Sequence, residues 1–122
     1  MIKTRILTLV FCLLLPVSAM AQTADANRSW NSFWTKFSAA INAKNKAAVK
    51  SMMVAERDFD SAGGETRSQW LASVDWAELK KSVRKGVKAQ SYDGKPGRIS
   101  KDNYLLFAYI GGRWRFMGVQ VA

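Results

Sequence analysis

Asn103-Tyr104-Leu105-Leu106-Phe107-Ala108-Tyr109-Ile110-Gly111-Gly112-Arg113-Trp114-Arg115-Phe116-Met117-Gly118-Val119 is the stretch that decides the fold. Aromatic and aliphatic residues favour strands on both sides of the link, and a two-residue Gly-Gly connection supplies the positive φ of a primed hairpin turn. Strands are predicted over 103–110 and 113–121. Pairing across the turn sets Tyr109 opposite Trp114 and Phe107 opposite Phe116, and with Leu105 these form one buried aromatic face. The other face pairs Ile110 with Arg113, Ala108 with Arg115, Leu106 with Met117 and Tyr104 with Val119. That second face is too apolar along most of its length for a solvated surface.

Upstream of the hairpin the period is helical. Trp30, Phe33, Trp34, Phe37 and Ile41 fall at i, i+3, i+4, i+7 and i+11, one stripe of a helix predicted to start near Ser29. Asn45 is positioned to cap a second helix with Ala48, Val49, Met52 and Met53 on its apolar side. Phe59 reads as the start of a short edge strand, and Gly63-Gly64 as a turn. Thr66 with Gln69 fits a capping box opening a third helix, with Trp70, Leu71 and Val74 inward. Asp75 then caps a segment over 76–85, which Gly86 stops. A strand over 87–92 and a turn over 93–97 lead into the hairpin. Helices followed by antiparallel strands make an α+β domain, with N-terminal helices packed on one face of an antiparallel sheet.

The front of the chain has a different character. Lys3 and Arg5 precede an apolar run from Ile6 to Leu15, then Pro16 and the small-residue site Ala19-Met20-Ala21. This is the layout of a secretory signal peptide cut after Ala21. The run is too short to span a bilayer. Residues 1–21 are therefore expected to leave, residues 22–28 to form a flexible N-terminus, and 29–122 to form a single domain. The expected location is outside the cytoplasm, most naturally the periplasm, with secretion the alternative.

Removing the leader takes Cys12, the single cysteine, from a chain with no histidine. Disulfides, thiol chemistry and imidazole catalysis are thereby excluded, and no cofactor or metal is expected. The 122 residues carry 19 Lys and Arg against 9 Asp and Glu, and loss of Lys3 and Arg5 leaves 17 against 9, a net +8. Such a field attracts anionic partners. Outside the cytoplasm these are an anionic envelope component or an acidic protein, while nucleic acid is disfavoured.

The motifs Phe33-Trp34-x-x-Phe37-x-x-Ala40-Ile41, Asn45-Lys46-Ala47-Ala48-Val49, Tyr104 to Ile110 and Gly-Gly-Arg-Trp-Arg-Phe-Met-Gly-Val together resemble small exported members of the nuclear transport factor 2-like, or cystatin-like, superfamily. The likeness covers most of 29–121. It implies a long first helix and a short second one packed on a strongly curved antiparallel sheet, forming a cone. It also implies a homodimer through the outer sheet face, here Leu106, Ile110, Arg113, Arg115 and Met117. The cone hosts ketosteroid isomerases as well as binding domains, so its fold does not fix an activity. An isomerase of this type needs an acid and a hydrogen-bond-donating Tyr on inner strand faces. Asp58, Asp60, Glu65 and Asp75 fall in loops or at helix starts instead, and no catalytic residue is assigned.

Two candidate sites follow from residue type. Lys80, Lys81, Arg84, Lys85 and Lys88 place five cations in nine residues, a candidate anion-binding cluster that equally suits the C-terminal end of a helix dipole. Trp34, Trp70, Trp76, Phe107, Tyr109 and Trp114 are candidates to line a cone pocket, although core packing accounts for such residues too. A binding or interaction domain for an apolar or anionic ligand, or for a protein partner, is the first functional reading. A carboxylate–tyrosine isomerase or dehydratase is the alternative.

Overall fold

A computed structural model describes residues 23–120, so the expected leader lies outside the described residues. Helix α1 covers 23–42; α2 is Lys46–Met52, α3 Arg67–Ser73 and α4 Trp76–Lys85, with one 3-10 turn at Glu56–Asp58 between α2 and α3. Strands β1 (Val87–Ala89), β2 (Gly97–Ser100), β3 (Leu105–Ile110) and β4 (Arg113–Val119) follow. They form one antiparallel sheet in the order β1-β2-β3-β4. The chain is thus α+β, with helices packed on a curled antiparallel sheet. Among the described residues, no helix is long and apolar enough to cross a membrane.

Local chemistry fixes the helix ends. The Asn45 side chain accepts from the Ala48 N–H, and the Thr66–Gln69 capping box is complete in both directions. Asp75 accepts from the N–H groups of Ala77 and Glu78, and Gly86, at φ 80°, closes α4. Each of the three N-terminal caps satisfies amides that the helix itself leaves unpaired and contributes about 1 kcal/mol.

The stripe on α1 meets the aromatic face of the hairpin. Phe107 packs edge-on against Trp30, Phe33, Trp34 and Phe37, with ring centroids 5.0–5.8 Å apart. Phe37 also meets Phe116 at 4.8 Å. Phe37, Ile41, Phe107 and Phe116 are essentially inaccessible to water. Edge-to-face contacts of this kind add to the burial of large apolar areas.

Five local expectations need correction. Helix α1 begins before Ser29: residues 23–28 are already helical, and Ala26 is fully buried. The Arg28–Asp25 ion pair and the Ser29 hydroxyl bonded to the Asp25 carbonyl link residues of this stretch one turn apart. Strand β1 ends at Ala89, short of Tyr92. Its partner β2 lacks a strand signature, because Gly97, Arg98 and Ser100 are poor strand formers and Arg98 faces inward, opposite Phe107. Phe59 starts no strand; it follows the 3-10 turn and packs on Trp70 at 6.0 Å. The edge of β4 is covered instead by Met53, bridged to Phe116, and by the Val54 N–H bonded to the Phe116 carbonyl at 3.0 Å.

The fifth correction is one of register. The pairs from Ile110–Arg113 to Phe107–Phe116 stand as expected, but Leu106 then pairs with Gly118 and Leu105 with Val119. Met117 is the extra residue of a bulge. Gly118, at φ 107°, accommodates a backbone conformation that side chains resist. The shift places Val119 opposite Leu105, packed against the core.

Candidate anion-binding groove

Ser29, Ser32 and Lys36 fall at i, i+3 and i+7 of α1 and so share a face beside the apolar stripe. Ser51 comes from the last turn of α2, and Arg113 and Arg115 from the start of β4. With Phe33, Met52, Gly112 and Trp114, these residues line an open groove of ≈ 290 Å³. None of its described lining residues is Asp or Glu. Among the described residues, neither Lys36, Arg113 nor Arg115 forms an ion pair. Burial, and then the Arg113 charge beside it, holds the Arg115 guanidinium below its ordinary value. Desolvation penalises the charged form, and a like charge nearby acts in the same direction.

The edge of β4 borders the same opening. Phe116 turns its carbonyl out of the sheet to Val54. By the two-residue period of a strand, Trp114 turns its own N–H and C=O toward the same edge. Three cations and the Ser32 hydroxyl therefore line one opening, while the hydroxyls of Ser29 and Ser51 donate to the carbonyls of Asp25 and Ala48. Arginine forks and hydroxyls are the groups that bind phosphate and carboxylate oxygens.

The structure distributes the six candidate pocket aromatics. Trp34, packed against the core, meets Phe107 edge-on at 5.8 Å, and Tyr109 meets Trp114 edge-on at 5.5 Å. Trp70 packs against Phe116 and borders a separate recess of ≈ 140 Å³ near Phe59 and Asp60. Trp76 is half-buried against the core. Trp114 borders the cationic groove, yet only 4 % of it is exposed.

The basic cluster divides as well. Lys80, Lys81, Arg84 and Lys85 stay together on α4, whose inner side carries buried Leu79 and Ser82. Lys88 pairs with Ile99, on the face turned away from the core aromatics, and Lys85 Nζ lies 3.9 Å from Asp102 Oδ2. Of the residues expected at a dimer face, Leu106, Ile110, Arg113 and Arg115 also occupy that outward face. Arg113 and Arg115 reach the groove as well, a role that required Lys36 to be brought across from α1. No sequence spacing links 36 to 113.

Carboxylates lie elsewhere. Among the described residues, no Asp or Glu stands in the four strands, and no group of three or more His, Cys, Asp or Glu is arranged to hold a metal ion. The chain matches no protein-family model, no curated protein and no solved structure.

Proposed function

We propose that this chain is an exported binding domain that holds an anionic ligand between Lys36, Arg113 and Arg115. The observation that carries this reading is the convergence of three unpaired cations on a groove whose described lining holds no carboxylate. Folded proteins normally disperse or pair such charges, because like charges at short range repel. An anion entering the groove removes that repulsion and gains charge-assisted hydrogen bonds. The leader layout and the net +8 of the remaining chain agree with an anionic ligand outside the cytoplasm. The nuclear transport factor 2-like resemblance is compatible with such a role and adds no catalytic group.

Isothermal titration with inorganic pyrophosphate at low ionic strength tests the proposal. Saturable binding is expected, at least tenfold weaker in R113Q/R115Q, the loss that corresponds to about 1.4 kcal/mol. Equal affinity in the variant would reject the groove. Sequencing the N-terminus of the exported protein should give Gln22 as its first residue.

A further inference from the structure

A second groove lies near Trp114 and is built around Arg98. Arg98 occupies an inward strand position opposite Phe107, where an apolar side chain would ordinarily stand. Its guanidinium carbon is 5.3 Å from the Trp30 ring centroid and 5.8 Å from that of Trp114. Its Nη2 donates to Asn27 Oδ1 at 2.8 Å. No carboxylate lies within ion-pair distance among the described residues.

Aromatic faces stabilise a cation without neutralising it. Asn27 uses one of the five N–H donors of the fork and supplies no negative charge. Fastening α1 uses the charge against Trp30 and one donor toward Asn27, and leaves four donors of the fork outside these contacts. Those donors belong to a groove of ≈ 320 Å³, also lined by Asn27, Gln90, Ser91 and Lys95. Its size is at the small end for ligand sites. Its neutral amides and hydroxyl donate and accept hydrogen bonds, as sugar-like hydroxyls require.

We propose that this groove binds the carboxylate of a small hydroxylated acid. The planar Arg98 fork, fixed by Trp30, Trp114 and Asn27, grips the carboxylate in its plane. Asn27, Gln90 and Ser91 meet the ligand's hydroxyls. Two cations here, against three in the first groove, suit a monoanion better than a phosphate dianion.

The experiment follows the indole N–H resonance of Trp30, which does not line the first groove, in the protein and in R113Q/R115Q. D-glucuronate at up to ~10 mM should shift that resonance saturably in both, with a dissociation constant near or below ~1 mM. D-glucose and inorganic phosphate at equal concentration should leave it in place. R98K keeps the charge and loses the fork, and R98Q loses both; each should weaken binding at least tenfold, the scale of a charge-assisted hydrogen bond. If R98Q does not fold, R98K alone decides the result. Absence of the glucuronate shift, equal displacement by glucose or phosphate, or full affinity in R98K would each overturn the proposal. The R113Q/R115Q arm keeps its outcome independent of the first groove.

Discussion

The indole Nε1 of Trp114 donates to the carbonyl oxygen of Ala26 at 2.8 Å, joining β4 to the first turns of α1 across 88 residues. Ala26 is fully buried at this contact, and the neighbouring Trp30 ring lies 4.7 Å from that of Trp114. W114F keeps an aromatic ring and removes the donor. It should cost at least about 1 kcal/mol, lowering Tm by ~4–8 °C or more in a domain of this size. Amide hydrogen exchange around Ala26 should accelerate alongside, because this bond fastens the start of α1.

Gly97 is required by a close backbone approach. A Cβ at this position would stand 2.2 Å from the Gln90 carbonyl oxygen and 3.0 Å from that of Phe107. Backbone atoms cannot yield as a flexible side chain does. G97A should therefore destabilise by about 3 kcal/mol, read by urea denaturation, and should separate the β1–β2 loop from β3.

Asp102 ties α4 to the sheet, accepting from the buried hydroxyls of Ser82 and Ser100. Burial pushes its carboxyl up, but the donors of Ser100, Ser82 and the Tyr104 backbone, with the Lys85 charge, outweigh it and hold the carboxyl below its ordinary 3.8. A depressed carboxylate stabilises the fold above its unfolded pKa, and this contribution fades as pH falls through the folded value. Urea midpoints of the wild-type protein should therefore fall more steeply than those of D102N as pH drops below about 4. The variant should already be weaker at neutral pH.

Repulsion between Arg113 and Arg115 predicts a salt response. Ions screen exposed charges over about 10 Å at 0.1 M, so wild-type Tm should rise with added sodium chloride at low ionic strength. R113Q should show a smaller rise, because it removes one of the two repelling guanidinium groups. Equal salt slopes for the two proteins would show that the pair carries no net repulsion.

Local chemistry made much of this fold legible. Asn45, Thr66 and Asp75 cap helices where their side chains reach orphan amides, and the Gly111-Gly112 link set the register as far as Phe107–Phe116. What escaped depends on distant partners. Strand β2 has no apolar alternation because Arg98 is stabilised by Trp30, Trp114 and Asn27 rather than by its neighbours. The early start of α1 rests on Ala26 meeting a side chain from β4. In the cationic groove, Arg113 and Arg115 were legible as a pair near an apolar patch. Lys36 was not, since only the packing of α1 beside β4 unites them.

The sheet order repeats the chain order, so each strand pairs with the one just synthesised before it. Closing those hairpins joins residues close in sequence and loses little loop entropy. Seating α1 is a different event, since Asn27 must find Arg98 and Ala26 must find Trp114 from 71 and 88 residues away. Folding should accordingly be limited by this long-range docking of the first helix onto a meander whose local pairings form without it.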